Sequence, residues 1–112
     1  MKDGTIADGQ ITASSEFAAN HGANNARLDR PAGSGRTGAW SARSNDVNQW
    51  IQVDFGALKS VSGIVLQGRS EADQWVTKYK VQYSIDGITW QYIQDNSNND
   101  KVSQNMYLYF VI

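Results

Sequence analysis

Hydrophobic and polar positions fall into two regimes along the chain. From Trp50 the stretch WIQVDFG sets Ile51, Val53 and Phe55 on one side and Gln52 and Asp54 on the other, the period of a strand with one buried face. Tyr79, Val81 and Tyr83 alternate with Lys78, Lys80, Gln82 and Ser84 and predict a second half-buried strand. Asp86-Gly87 supplies a turn, and Thr89 to Ile93, TWQYI, returns as the hairpin partner, with Tyr79, Val81, Tyr83 and Trp90 as the packed set. Between these, Gly56 to Lys59 reads as a turn, and the apolar run Val61 to Gln67, VSGIVLQ, suits a strand buried on both faces. Near the front, Gln10 to Ser14, QITAS, fits a short strand, while Glu16 to Ser44 follows no sustained period. Ala18 to Leu28 is rich in alanine, but Asn20, Gly22, Asn24 and Asn25 interrupt it and favour a structured loop with one helical turn. Asp95 to Asp100, DNSNND, reads as a polar loop, and the final MYLYFVI is apolar and β-prone. Short strands, many turns and long early loops predict an all-β, antiparallel sandwich of jelly-roll type, with function at the loop end.

Length and composition narrow this picture. A chain of 112 residues fits one domain, 1–112, and its ten glycines against one proline suit strands joined by turns. Ten basic and eleven acidic side chains leave a net charge of -1, which gives nucleic acid no electrostatic footing as a partner. The absence of cysteine removes disulfides, thiolate metal sites and a cysteine nucleophile. No apolar run reaches the roughly 20 residues of a membrane span, and MKDGTIADGQ lacks a signal-peptide core, so a secreted parent would be longer than this chain.

Several candidate chemistries fail on context. Gly33 to Gly38, GSGRTG, matches a dinucleotide pattern, yet LDRPA before it is no apolar strand and AWSARSND after it opens no helix. His21 is the single histidine, so no multi-histidine metal site exists, and a triad of Ser14, His21 and Asp29 has no nucleophile elbow to frame its serine. Glu71 and Asp73 are close in sequence but lie in a polar stretch that would not raise the pKa of a general acid. No enzyme activity is expected. DNSNND could offer oxygen ligands to Ca²⁺, although the EF-hand pattern is absent. Among the tryptophans, Trp50 and Trp90 sit in strands, whereas Trp40 and Trp75 lie beside loops rich in Arg, Asp and Asn, where a ring can stack on a pyranose or tuck under its own loop.

Six blocks follow one another between about Gly9 and Lys101: QITASSEF, ARLD at Ala26 to Asp29, AWSA at Ala39 to Ala42, NQWIQVDFG, VSGIVLQGR and QWVTKYKVQYSIDGITW. Through them the sequence resembles a discoidin domain, the family of the type C domains of coagulation factors V and VIII, and the middle of the chain looks most like slime-mould discoidin lectins. The resemblance implies a non-enzymatic, extracellular jelly-roll sandwich that binds cell-surface ligands through loops: galactose-type glycans in some members, anionic phospholipids such as phosphatidylserine in others, and protein partners in others still. The lectin site carried over falls on Trp40, Arg69 and Glu71, with Asp73 close by; the tryptophan would stack, Arg69 donate to hydroxyls and the carboxylates accept, while His21, a surface-loop histidine, and the loop tryptophan Trp75 are further candidate ligand contacts. Where the lectins have a glutamate two residues before that tryptophan, this chain has Gly38. The membrane alternative falls on the loop of Phe17, Ala18 and Ala19, which carries one large apolar residue. The family's bracketing cysteines are absent, and after Lys101-Val102 its closing strands are not recognisable, so QNMYLYFVI is either a substitute strand or an unrelated tail. Lost closing strands would expose sheet edges, which predicts low stability or homo-oligomers for the chain alone.

Overall fold

The computed structural model describes residues 1–57, 59–93 and 107–111. Among the described residues five strands form one antiparallel sheet: β1 (Ile11–Ala13), β2 (Trp50–Asp54), β3 (Lys80–Tyr83), β4 (Gln91–Tyr92) and β5 (Tyr107–Val111). Their order is β1-β2-β5-β3-β4, so the last strand in sequence occupies the centre of the sheet. β5 pairs on one side with β2, Ile51 opposite Phe110 and Val53 opposite Leu108, and on the other with β3, Val81 opposite Phe110. Residues Tyr107–Val111 of the closing segment therefore form a strand that joins two halves of the sheet. No α-helix occurs among the described residues; three single 3-10 turns, Asp8–Gln10, Ala19–His21 and Ala23–Asn25, punctuate the front loops.

The alternation of β2 is realised as read. Val53 is 1% exposed and Ile51 7% exposed, and with Ile6, Ile11 and Ala23 they make the buried core. Met1, Ala13, Ala26, Trp40 and Phe55 pack around that core. The early strand and the structured loop also form, the loop as two 3-10 turns.

Three expectations need correction. Residues 61–67 make no strand, and Val65 (73%) and Leu66 (45%) are exposed. The run is apolar because it lines a cavity of about 580 Å³ together with Trp40, Ile51, Val53 and Phe55, and no described strand runs alongside to take up its backbone groups. Tyr79 is 51% exposed and so lies outside the packed set, whereas Val81, Tyr83 and Trp90 are half-buried. The hairpin partner is also shorter than TWQYI, because Asp86 Oδ1 accepts the backbone N–H groups of Ile88 and Thr89, each at 2.8 Å, and holds Thr89 in the turn. Gly87 completes that turn at φ 73°, in the left-handed region that glycine enters without steric cost. The polar loop Asp95 to Asp100 lies outside the described residues.

Antiparallel pairing puts the end of β1, the start of β2 and the segment leading into β3 at one end of the sheet. The loops after β1 and before β3 meet there.

Candidate functional site

The loop after β1 is held by its own polar side chains. Glu16 Oε1 accepts the Ala23 N–H at 3.0 Å. The carbonyl of Asn20 accepts from Asn25 Nδ2 (2.9 Å) and from the backbone N–H (2.8 Å) and hydroxyl (3.0 Å) of Thr37. Asn25 and Thr37 are buried, so these bonds satisfy groups that water cannot reach and tie the 19–25 turns to the 37–40 segment. GSGRTG is a tight backbone turn, with Gly33 and Arg36 exchanging both hydrogen bonds at 3.1 and 3.2 Å.

The 67–75 loop closes on itself. Arg69 N–H donates to the Gln74 carbonyl at 2.9 Å, and Gln74 N–H reaches back to Ala72 at 2.7 Å, a three-residue turn centred on Asp73. Asp73 is exposed and Trp75 is 68% exposed. Arg69 is the hub of the loop: Nε donates to Glu71 Oε1 at 2.6 Å, and Nη1 donates to Gln74 Oε1 at 2.9 Å. Nη1 also lies 3.4 Å from His21 Nε2, while His21 Nδ1 lies 2.7 Å from Asn20 Oδ1. Both contacts fit the imidazole tautomer that donates from Nδ1 and accepts at Nε2. Phe17, 63% exposed, meets the His21 ring edge-on at 5.2 Å.

Glu71 links this loop to the 37–40 segment. The Gly38 N–H donates to Oε1 and Oε2 at 3.1 and 3.2 Å, and Ser70 Oγ donates to Oε2 at 2.9 Å. The Gly38 N–H does most to hold the Glu71 pKa down to about 2; desolvation opposes it, and the Arg69 and Ser70 bonds add to it. The guanidinium charge is thus balanced within the site.

The structure brings Arg69, Glu71 and His21 into one cluster, with Asp73 and Trp75 on the same loop and Phe17, Ala18 and Ala19 on the exposed neighbouring turn. Trp40 is placed differently. Its ring packs on the core, and its indole N–H donates to the Ser15 carbonyl at 2.9 Å. Gly38, Ser70, Gln74 and Asn20 complete the cluster; their contacts span up to 33 residues, a separation at which periodicity carries no signal. Ser14, His21 and Asp29 form no triad: Ser14 Oγ bonds Gln49 and Trp50, and Asp29 is held by Lys2 and Gln67. Among the described residues no three His, Asp or Glu side chains converge as metal ligands.

The arrangement is an antiparallel β domain with two loops cross-tied at one end and an arginine held between them. Residues 10–109 match the F5/8 type C domain family, and the chain belongs to it. It is 37% identical over 108 residues to retinoschisin from Mus musculus, covering 91% of this chain and 47% of that protein. It is 38% identical over 112 residues to lactadherin from Rattus norvegicus, covering 93% and 25%. The chain thus spans about half or less of these curated relatives. In three dimensions it resembles wild-type discoidin II from Dictyostelium discoideum with a TM-score of 0.76 at 26% identity, covering 90% of this chain and 47% of that one. The fold is an antiparallel β-sandwich of the discoidin type, and the domain is a non-catalytic module for binding and adhesion.

Proposed function

We propose that the domain works outside the cell and binds neutral glycans of the galactose type through the 67–75 loop. The observation that carries this reading is the Arg69 arrangement. Its charge is met by Glu71, Nε and Nη1 are occupied, and among the described residues no acceptor meets Nη2. A donor on a charge-balanced, pre-positioned guanidinium suits a sugar hydroxyl, whereas a phosphate would have to compete with Glu71. Asp73 supplies an exposed acceptor and Trp75 an exposed ring for the apolar face of a pyranose. Trp40 supports the site from the core.

A second reading, docking on anionic phospholipid, rests on the exposure of Phe17 (63%) beside exposed Ala18 and Ala19. Burying that single aromatic contributes only about 1.5–3 kcal/mol, marginal for holding a protein at a bilayer.

A glycan array, with and without calcium, separates the two when run beside sedimentation with phosphatidylserine and neutral vesicles. Galactose-terminated signals that Arg69→Ala abolishes are expected. No such signal, or one that Arg69→Ala keeps, overturns the glycan reading, and pelleting with phosphatidylserine vesicles alone replaces it with the second.

A further inference from the structure

We infer that Gly38 and Glu71 form a positioning lock that aims Arg69, and that the Glu71 carboxylate does not itself touch the ligand. The inference rests on the glycan reading only for its binding readout. A carboxylate offers about four lone-pair sites. Here three donors converge on it: the single Gly38 N–H is shared between Oε1 and Oε2, Arg69 Nε takes Oε1 and Ser70 Oγ takes Oε2, so both oxygens are already engaged before a ligand hydroxyl arrives. Only a residue without a side chain permits this closure. A Cβ on Gly38 would stand 2.2 Å from Ser70 Oγ, 2.6 Å from Glu71 Oε2 and 2.9 Å from the Arg30 carbonyl. The first two would have to swing away, and the third is backbone that cannot. Gly38 is therefore more than a missing contact in the 37–40 segment: its bare backbone lets a carboxylate from 33 residues away bridge the two loops and fix the guanidinium from the Nε side. Gln74 fixes the same group at Nη1, which leaves Nη2 as the donor that no described acceptor meets.

The test pairs a spectroscopic readout with a binding one. In ¹H–¹⁵N spectra of the domain, the Arg69 Nε–H should exchange slowly with water, and both Gly38→Ala and Glu71→Ala should abolish or strongly shift that signal. Gly9→Ala, where a Cβ meets nothing within 4 Å, should leave it in place. On beads bearing galactose-terminated glycans, each of the two variants should bind about tenfold more weakly, and the double variant no more weakly than Glu71→Ala alone, because both break one lock. An Nε–H signal untouched by either substitution overturns the inference, as does an additive loss near hundredfold in the double variant, which would mean that Glu71 contacts the ligand on its own. Absence of glycan binding by the wild type overturns the glycan reading instead, and the Nε–H signal then decides the lock alone.

Discussion

Replacing Trp40 by Phe separates a core tryptophan from a ligand-stacking one. The indole N–H donates to the Ser15 carbonyl at 2.9 Å, and that residue's hydroxyl in turn contacts Gln49 Oε1 at 2.6 Å and accepts the Arg43 N–H at 3.0 Å. Phe removes the donor and leaves a partly buried carbonyl unpaired, a loss of about 1–2 kcal/mol. The smaller ring also gives up contact with the core that Ile51 and Val53 build, adding about 0.5–1 kcal/mol. The sum, about 1.5–3 kcal/mol, is a large fraction of the roughly 5–15 kcal/mol that holds a domain folded. At about 4 °C per kcal/mol for a chain of this size, Tm should fall by about 6–12 °C. Circular dichroism melts measure that shift, and glycan affinity measured well below the melt should stay within about twofold of wild type. An unchanged Tm together with a tenfold loss of affinity would refute the reasoning, since it would place the indole face against the sugar.

The other expectations concern the sheet and its acidic anchors. Val53→Ala removes two methyl groups at a site 1% exposed and should lower stability by about 2–3 kcal/mol in urea unfolding, with no change in the affinity of the folded protein. Glu71 and Asp86 both have pKa values held down to about 2, by the Gly38 N–H and by the Thr89 and Ile88 N–H groups respectively, so each favours the folded state at pH above the unfolded values of 4.5 and 3.8. That stabilisation is lost as pH falls from those values toward 2, so the urea midpoint should drop across this window, and Asp86→Asn should flatten the drop. A midpoint that holds steady or rises on acidification would contradict the assignment.

The strands legible in the sequence were those whose side chains alternate. In β2, Ile51 and Val53 repeat at the period of a pleated strand, and burial follows because only one face of such a strand meets the core. The turn at Asp86-Gly87 was equally legible, since a short carboxylate and a glycine are the local chemistry of a turn. Val61 to Gln67 misled for a physical reason: an apolar run reports contact with apolar space, and a ladder partner is a separate condition that composition does not encode. Tyr79 misled similarly, because an amphipathic ring keeps the rhythm of a strand whether or not it is covered.

The site divides along the same line. Residue types and order alone singled out Arg69, Glu71 and Asp73 as one polar loop and, through family resemblance, as the ligand loop. Only the tertiary structure decided that Glu71 bonds Gly38, that His21 meets Arg69 from the loop after β1, and that Trp40 turns to Ser15 and the core. Likewise the final apolar segment was legible as β-prone, but its place at the centre of the sheet, between β2 and β3, follows from pairing with strands far away in sequence. Local pattern is set by steric preference and the need to bury one face, which act over a few residues. Register, loop-to-loop hydrogen bonds and the direction of a guanidinium depend on which distant groups the closed chain brings within about 3 Å, and a linear pattern does not carry that distance.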